Sequence, residues 1–161
     1  MRLIAALLLV AAMGSGKTPN RLTGSWKLVS FSDTSDKGMP YFPFGVHPNG
    51  EFIFTSNGHF SAQAISAPTG PLPDALPSKG FDDMRFAGMT VPYLGYFGTY
   101  QADLTAGTLT LHLAGASAPI YVRSDVTRMI RFDGDRLLIS GKAVRSDGRQ
   151  WSWERILVRD K

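Results

Sequence analysis

Apolar and polar residues alternate with a period of two over much of this chain. That period belongs to β-strands, whose side chains point in turn to opposite faces. The cleanest case is Thr108–Ala114. Leu109, Leu111 and Leu113 fall on one face and Thr108, Thr110 and His112 on the other, which predicts a half-buried strand. Glu51–Thr55 (EFIFT) and His59–Ile65 flank Asn57-Gly58, a dipeptide suited to the φ > 0 positions of a tight hairpin turn. Further strands are predicted over Leu22–Ser32, Tyr96–Asp103, Arg123–Phe132, Arg136–Lys142 and Gln150–Val158. Thr105-Ala106-Gly107, Asp133-Gly134 and Asp147-Gly148 serve as turns.

Two stretches break the pattern. Asp33–Pro48 is a loop rich in proline, glycine and aromatic residues. Residues 67–80 contain Pro68, Pro71, Pro73 and Pro77 and cannot be sheet interior. Phe81–Val91 has Phe81, Met84, Phe86 and Met89 at broken helical spacing and stops at Pro92, so 67–92 reads as a long loop carrying one short helix. About eight strands joined mainly by hairpins, with a single helix, require antiparallel pairing. A sandwich and a closed barrel both satisfy the pattern. Closure removes the exposed edges, and eight strands leave an interior that holds one small ligand. The expected fold is therefore all-β, an antiparallel up-and-down β-barrel of about eight strands.

The first residues follow a different rule. Arg2 precedes the apolar run Leu3–Met13, and small residues Gly14-Ser15-Gly16 follow it. This order of charged, apolar and small segments predicts a secretory leader over residues 1–18, with the barrel domain over 19–161. Eleven apolar residues are too few to span a bilayer, which takes about 20. Ala11–Thr18 (AAMGSGKT) also fits a loose phosphate-loop pattern. Pro19 and a strand pattern follow at once, where a nucleotide-binding loop needs a helix. The expected location is outside the cytoplasm, in a periplasm or the extracellular space.

Several short motifs then resemble a known family. Gly24-Ser25-Trp26 on the first strand looks like the G-x-W signature of lipocalins. With Leu22-Thr23 before it, and with Pro43-Phe44-Gly45, Phe60-Ser61-Ala62-Gln63, Tyr96-Phe97-Gly98-Thr99-Tyr100 and Trp153-Glu154-Arg155, the chain resembles the bacterial and fungal lipocalin-like domain. The resemblance implies a small β-barrel, with mostly unassigned activity and some members encoded beside biosynthetic enzymes. It also implies that Trp26 plugs one end of the barrel, with an arginine of the last strand, Arg155, packed on its ring. Members of the family often carry a histidine in the strand that here reads Thr108-Leu109-Thr110-Leu111-His112. Leu111 occupies that place, and His112 lies one step along on the opposite face.

Composition narrows the chemistry. The 161 residues contain no cysteine, which excludes disulfides, thiolate catalysis and cysteine-held zinc. The net charge is +4, but Arg123, Arg128, Arg131, Arg136, Lys142, Arg145, Arg149, Arg155 and Arg159 are scattered among acidic residues. They do not form the basic stripe expected of a nucleic-acid binder. His47, His59 and His112 are not spaced as a metal pair on one element, no G-x-S-x-G elbow is present, and Asp82-Asp83 reads as charge at a helix start. No metal or cofactor is expected.

The aromatic residues on strands and long loops point instead to an apolar cavity with a few placed polar groups. Gln63, Tyr96, Tyr100, Tyr121, Arg123 and Trp151 are the candidates for those groups. The leading expectation is an exported protein that binds a small apolar or amphipathic molecule, with 67–92 as a lid. Two others stand beside it. One is a metal-independent isomerase or cyclase, with Tyr96, Tyr100 and Arg123 stabilising developing charge. The other is an envelope protein-interaction module. Oligomeric state is left open.

Overall fold

The computed structural model describes residues 21–67, 92–118, 122–144 and 148–160. The expected leader, most of the 67–92 loop with its helix and lid role, and Tyr121 lie outside the described residues.

The described residues form nine strands: β1 (Gly24–Ser35), β2 (Pro40–Tyr41), β3 (Asn49–Phe54), β4 (His59–Ile65), β5 (Tyr93–Asp103), β6 (Thr108–Ala116), β7 (Asp125–Asp133), β8 (Arg136–Val144) and β9 (Gln150–Arg159). Each neighbour pairs antiparallel in the order β2-β1-β3-β4-β5-β6-β7-β8-β9, and β1 also pairs with β9. Eight strands therefore close into an up-and-down barrel. The two-residue β2 is a side branch on β1 at Asp33 and Thr34. No helix occurs among the described residues, and none there is long and apolar enough to cross a membrane.

Local chemistry sets the boundaries. At the β3–β4 turn, Gly58 takes φ 85°, and the Thr55 backbone N–H donates to the His59 carbonyl at 2.8 Å. At the β5–β6 turn, Asp103 Oδ1 accepts from the backbone N–H groups of Thr105 and Ala106, both at 2.9 Å. Strand β1 runs three residues beyond its expected end. A bulge between Leu28 and Ser30 shifts its register, so that Trp26 and Leu28 face inward below the bulge and Phe31 and Asp33 above it.

The core is the barrel interior. Leu22, Leu109, Leu137 and Leu157 are fully buried, with Trp26, Leu28 and Phe54 at 2% exposure. Trp26 closes one end. Its indole N–H donates to the Leu22 carbonyl at 2.7 Å, and its ring stands 6.0 Å from that of Phe132. The guanidinium on Trp26 is that of Arg159, 4.2 Å from the ring centroid, and not that of Arg155. The strand register explains the difference: Trp26 stands opposite Arg159, and Arg155 stands opposite Phe31, higher in the barrel. Arg159 also donates to the carbonyls of Thr23, at 2.9 Å, and Arg21. Gly24 belongs to this arrangement. Its φ of 127° disfavours any side chain, and a Cβ there would run into Arg159 Nη1.

Candidate functional site

Above the Trp26 plug the interior is not filled. A cavity of about 290 Å³ remains between Phe31 and Asp33 of β1, Phe52 and Phe54 of β3, Phe60 and Ala62 of β4, and the inward side chains of β5 to β9. Its shape follows from side-chain size. Ala62 and Ala143 contribute only methyl groups to the lining, and Leu109, Leu111 and Leu113 form an aliphatic wall.

The cavity has two characters. On the β3–β4–β5 side it is aromatic: Phe54 stacks on Phe60 at 6.3 Å, and Tyr96 packs edge-on to Phe52 at 6.2 Å and to Phe60 at 5.9 Å. On the β1–β9–β7 side it carries charge. Arg155 Nη1 lies 2.9 Å from Asp33 Oδ1, with the two side chains 13% and 19% exposed. The hydrogens of that nitrogen go to the carbonyls of Ser32, at 2.6 Å, and Glu154, at 3.0 Å. Among the described residues Asp33 Oδ1 has no partner besides Arg155, so the carboxylate depends on that guanidinium. The guanidinium lies 3.3 Å from the Phe31 ring centroid, and a second one, that of Arg128, lies 4.3 Å from that of Trp153. Burial pushes the Arg155 pKa below its ordinary value. The Asp33 carboxylate opposes that shift, and the like charge of Arg128 adds to it.

The structure divides the sequence candidates. Tyr96 and Trp151 line the cavity. Tyr100 faces inward but lies deeper, packed on Phe54 at 5.2 Å, and its hydroxyl donates to the Thr55 carbonyl at 2.9 Å. Gln63 points outward from β4, where Tyr93 donates to it at 3.5 Å. Arg123 is exposed in the turn before β7, with φ 59°. The residues that sequence reasoning missed are Asp33, Arg128, Trp153 and, as a cavity group, Arg155. Alternation alone placed Arg128 beside the inward Val126 and Ile130, and Arg155 beside Trp153 and Leu157. That signal was there to be read.

Chemically, the described part of the cavity wall offers no serine, threonine, cysteine or histidine. His112 stands outside the barrel with its Nδ1 2.9 Å from Asp125 Oδ1, and Leu111 faces the cavity in the place the resemblance reserves for a histidine. Among the described residues no three His, Cys, Asp or Glu side chains are grouped to hold a metal ion.

A family model described as a lipocalin-like domain matches residues 23–161, from the Gly24-Ser25-Trp26 plug through the closing strand. The chain belongs to the lipocalin-like domain family. No curated protein and no solved structure matches it. In this lipocalin-like domain the match takes in all nine strands, and with them the plug and every lining residue of the cavity.

The wall of the lipocalin-like barrel is uneven. The β7–β8 ladder runs only from Met129↔Ser140 to Asp133↔Arg136. Above it, Asp125–Arg128 pair with β6 alone, and Gly141–Val144 with β9 alone. The β1–β3 ladder is also short, from Gly24 to Lys27, but there β2 hydrogen-bonds to β1 and Phe44 packs on Phe31 at 4.7 Å.

Proposed function

We propose that this lipocalin-like domain binds a small, largely apolar molecule inside its barrel. The observation that carries the reading is the interior cavity of about 290 Å³, walled by aromatic and aliphatic side chains. That volume stands at the lower end of the range for small-molecule sites, about 300–1,000 Å³. A buried aromatic wall favours the apolar part of a ligand, and the Asp33–Arg155–Arg128 side offers a place for one polar group.

N-phenyl-1-naphthylamine, a neutral fluorophore that brightens in apolar surroundings, tests this. Saturable binding at one site per chain is expected. Ala62 is almost fully buried and borders the cavity, so Ala62→Phe puts a ring into the space the probe needs. Binding should weaken about ten-fold or more, with the thermal transition kept. Undiminished binding to that variant would place the probe elsewhere.

The same reading sets the protein outside the cytoplasm, supported by the charged, apolar and small segments of residues 1–18. N-terminal sequencing of the protein from envelope or culture fractions should find a chain starting between Met13 and Pro19. An intact Met1 there would defeat this part of the reading.

A further inference from the structure

The β7–β8 seam has an outer face with its own shape. A groove of about 630 Å³ runs along it, bordered by Thr127 and Arg128 on one side and by Ser140, Gly141 and Lys142 on the other. Arg128 and Trp153 border both this groove and the interior cavity. The Trp153 ring stands against Gly141, where the missing side chain leaves it room; a Cβ on Gly141 would overlap the ring. The stack of Arg128 on Trp153 is thus a partition one side chain thick.

The groove differs in chemistry from the cavity. The hydroxyls of Ser32, Thr34, Thr127, Ser140 and Ser152 line it and outnumber its charges, which are Arg128, Lys142 and Glu154. Ser32 makes one long bond to the Glu154 carbonyl, and Thr127 pairs with Thr110. Thr34, Ser140 and Ser152 are half-buried and make no side-chain hydrogen bond to protein among the described residues. Hydroxyls both donate and accept, so such a surface suits a neutral group that does the same.

We propose that the groove and the cavity are two halves of one site, and that its ligand is an amphipath with a neutral, polyhydroxylated head. The apolar part lies in the barrel, the head lies among the groove hydroxyls, and the Trp153 ring turns aside to join the two. This rests on the cavity reading above and adds the head group to it.

Displacement of bound N-phenyl-1-naphthylamine from the full chain tests it, with n-octyl β-D-glucoside and 1-octanol as competitors of equal tail length. The glucoside should compete about ten-fold more strongly than the alcohol. In the double variant Ser140→Ala/Ser152→Ala, which removes two solvent-facing hydroxyls and leaves the cavity wall alone, that ratio should fall to about three-fold or less with octanol unchanged. Equal competition in the wild type, or a ratio that survives in the double variant, overturns the proposal. Octanol competing without the glucoside sinks the head-group inference alone. Neither competing, with no probe bound, sinks the cavity reading along with it.

Discussion

Trp26→Ala should cost this barrel about 3–5 kcal/mol, the range for deleting a large buried aromatic. The mechanism is specific. Trp26 is 2% exposed, and removing its ring leaves a void between Leu22 and Phe132 and takes away the surface on which Arg159 is stacked. It also frees the Leu22 carbonyl, which accepts from the indole at 2.7 Å. For a domain of this size the melting temperature should fall on the order of 10 °C or more. Arg159→Ala should cost less, about 1–2 kcal/mol, because of its two carbonyl partners the one on Arg21 is exposed and the one on Thr23 only half-buried, within reach of water. Thermal and urea unfolding of both variants checks the order. Equal effects would mean that the arginine, and not the indole, closes this end.

The second large effect concerns the charged pair in the cavity. Removing one partner of a buried ion pair costs about 3–5 kcal/mol, because the other charge is left behind. The Asp33 and Arg155 side chains are 19% and 13% exposed, so water recovers part of that, and about 2–3 kcal/mol is expected for Asp33→Ala. Arg155→Met should cost a similar amount, since the Ser32 and Glu154 carbonyls lose a donor. The double variant should be more stable than the sum of the single losses, because neither charge is then stranded. A double-mutant cycle by urea denaturation measures the difference. A coupling near zero would show that Asp33 and Arg155 act independently, with Arg155 held by its carbonyls and by Phe31.

Most of the barrel could be read from the chain because strand alternation and turn residues agree with each other. His59–Ile65 appears with the limits expected of it, and Thr108–Ala116 gains two residues at its end. The Trp26 plug was legible in Gly24-Ser25-Trp26. Its arginine was not: Arg155 and Arg159 share the inward face, and four residues of strand, about 13 Å, separate them. Only the pairing of Trp26 with Arg159 chooses between them.

The cavity was harder to read for two reasons. The β1 bulge reverses which residues face inward, so alternation counted from Trp26 puts Asp33 outside, where it is not. Depth along the strand is also invisible to a period of two. Tyr96 and Tyr100 share a face, yet one lines the cavity and the other is sealed in the core. Gln63 has the chemistry of a cavity group, but its neighbours Ala62 and Ala64 mark it as outward.

The pairing of β1 with β9 joins Trp26 to Arg159, positions at opposite ends of the chain. The ninth strand is therefore the one that seals the first. Until Gln150–Arg159 has been made, the growing chain presents unpaired edges and no enclosed volume. The interior is enclosed only when that strand docks on β1, so the first and ninth strands together decide whether there is a cavity at all.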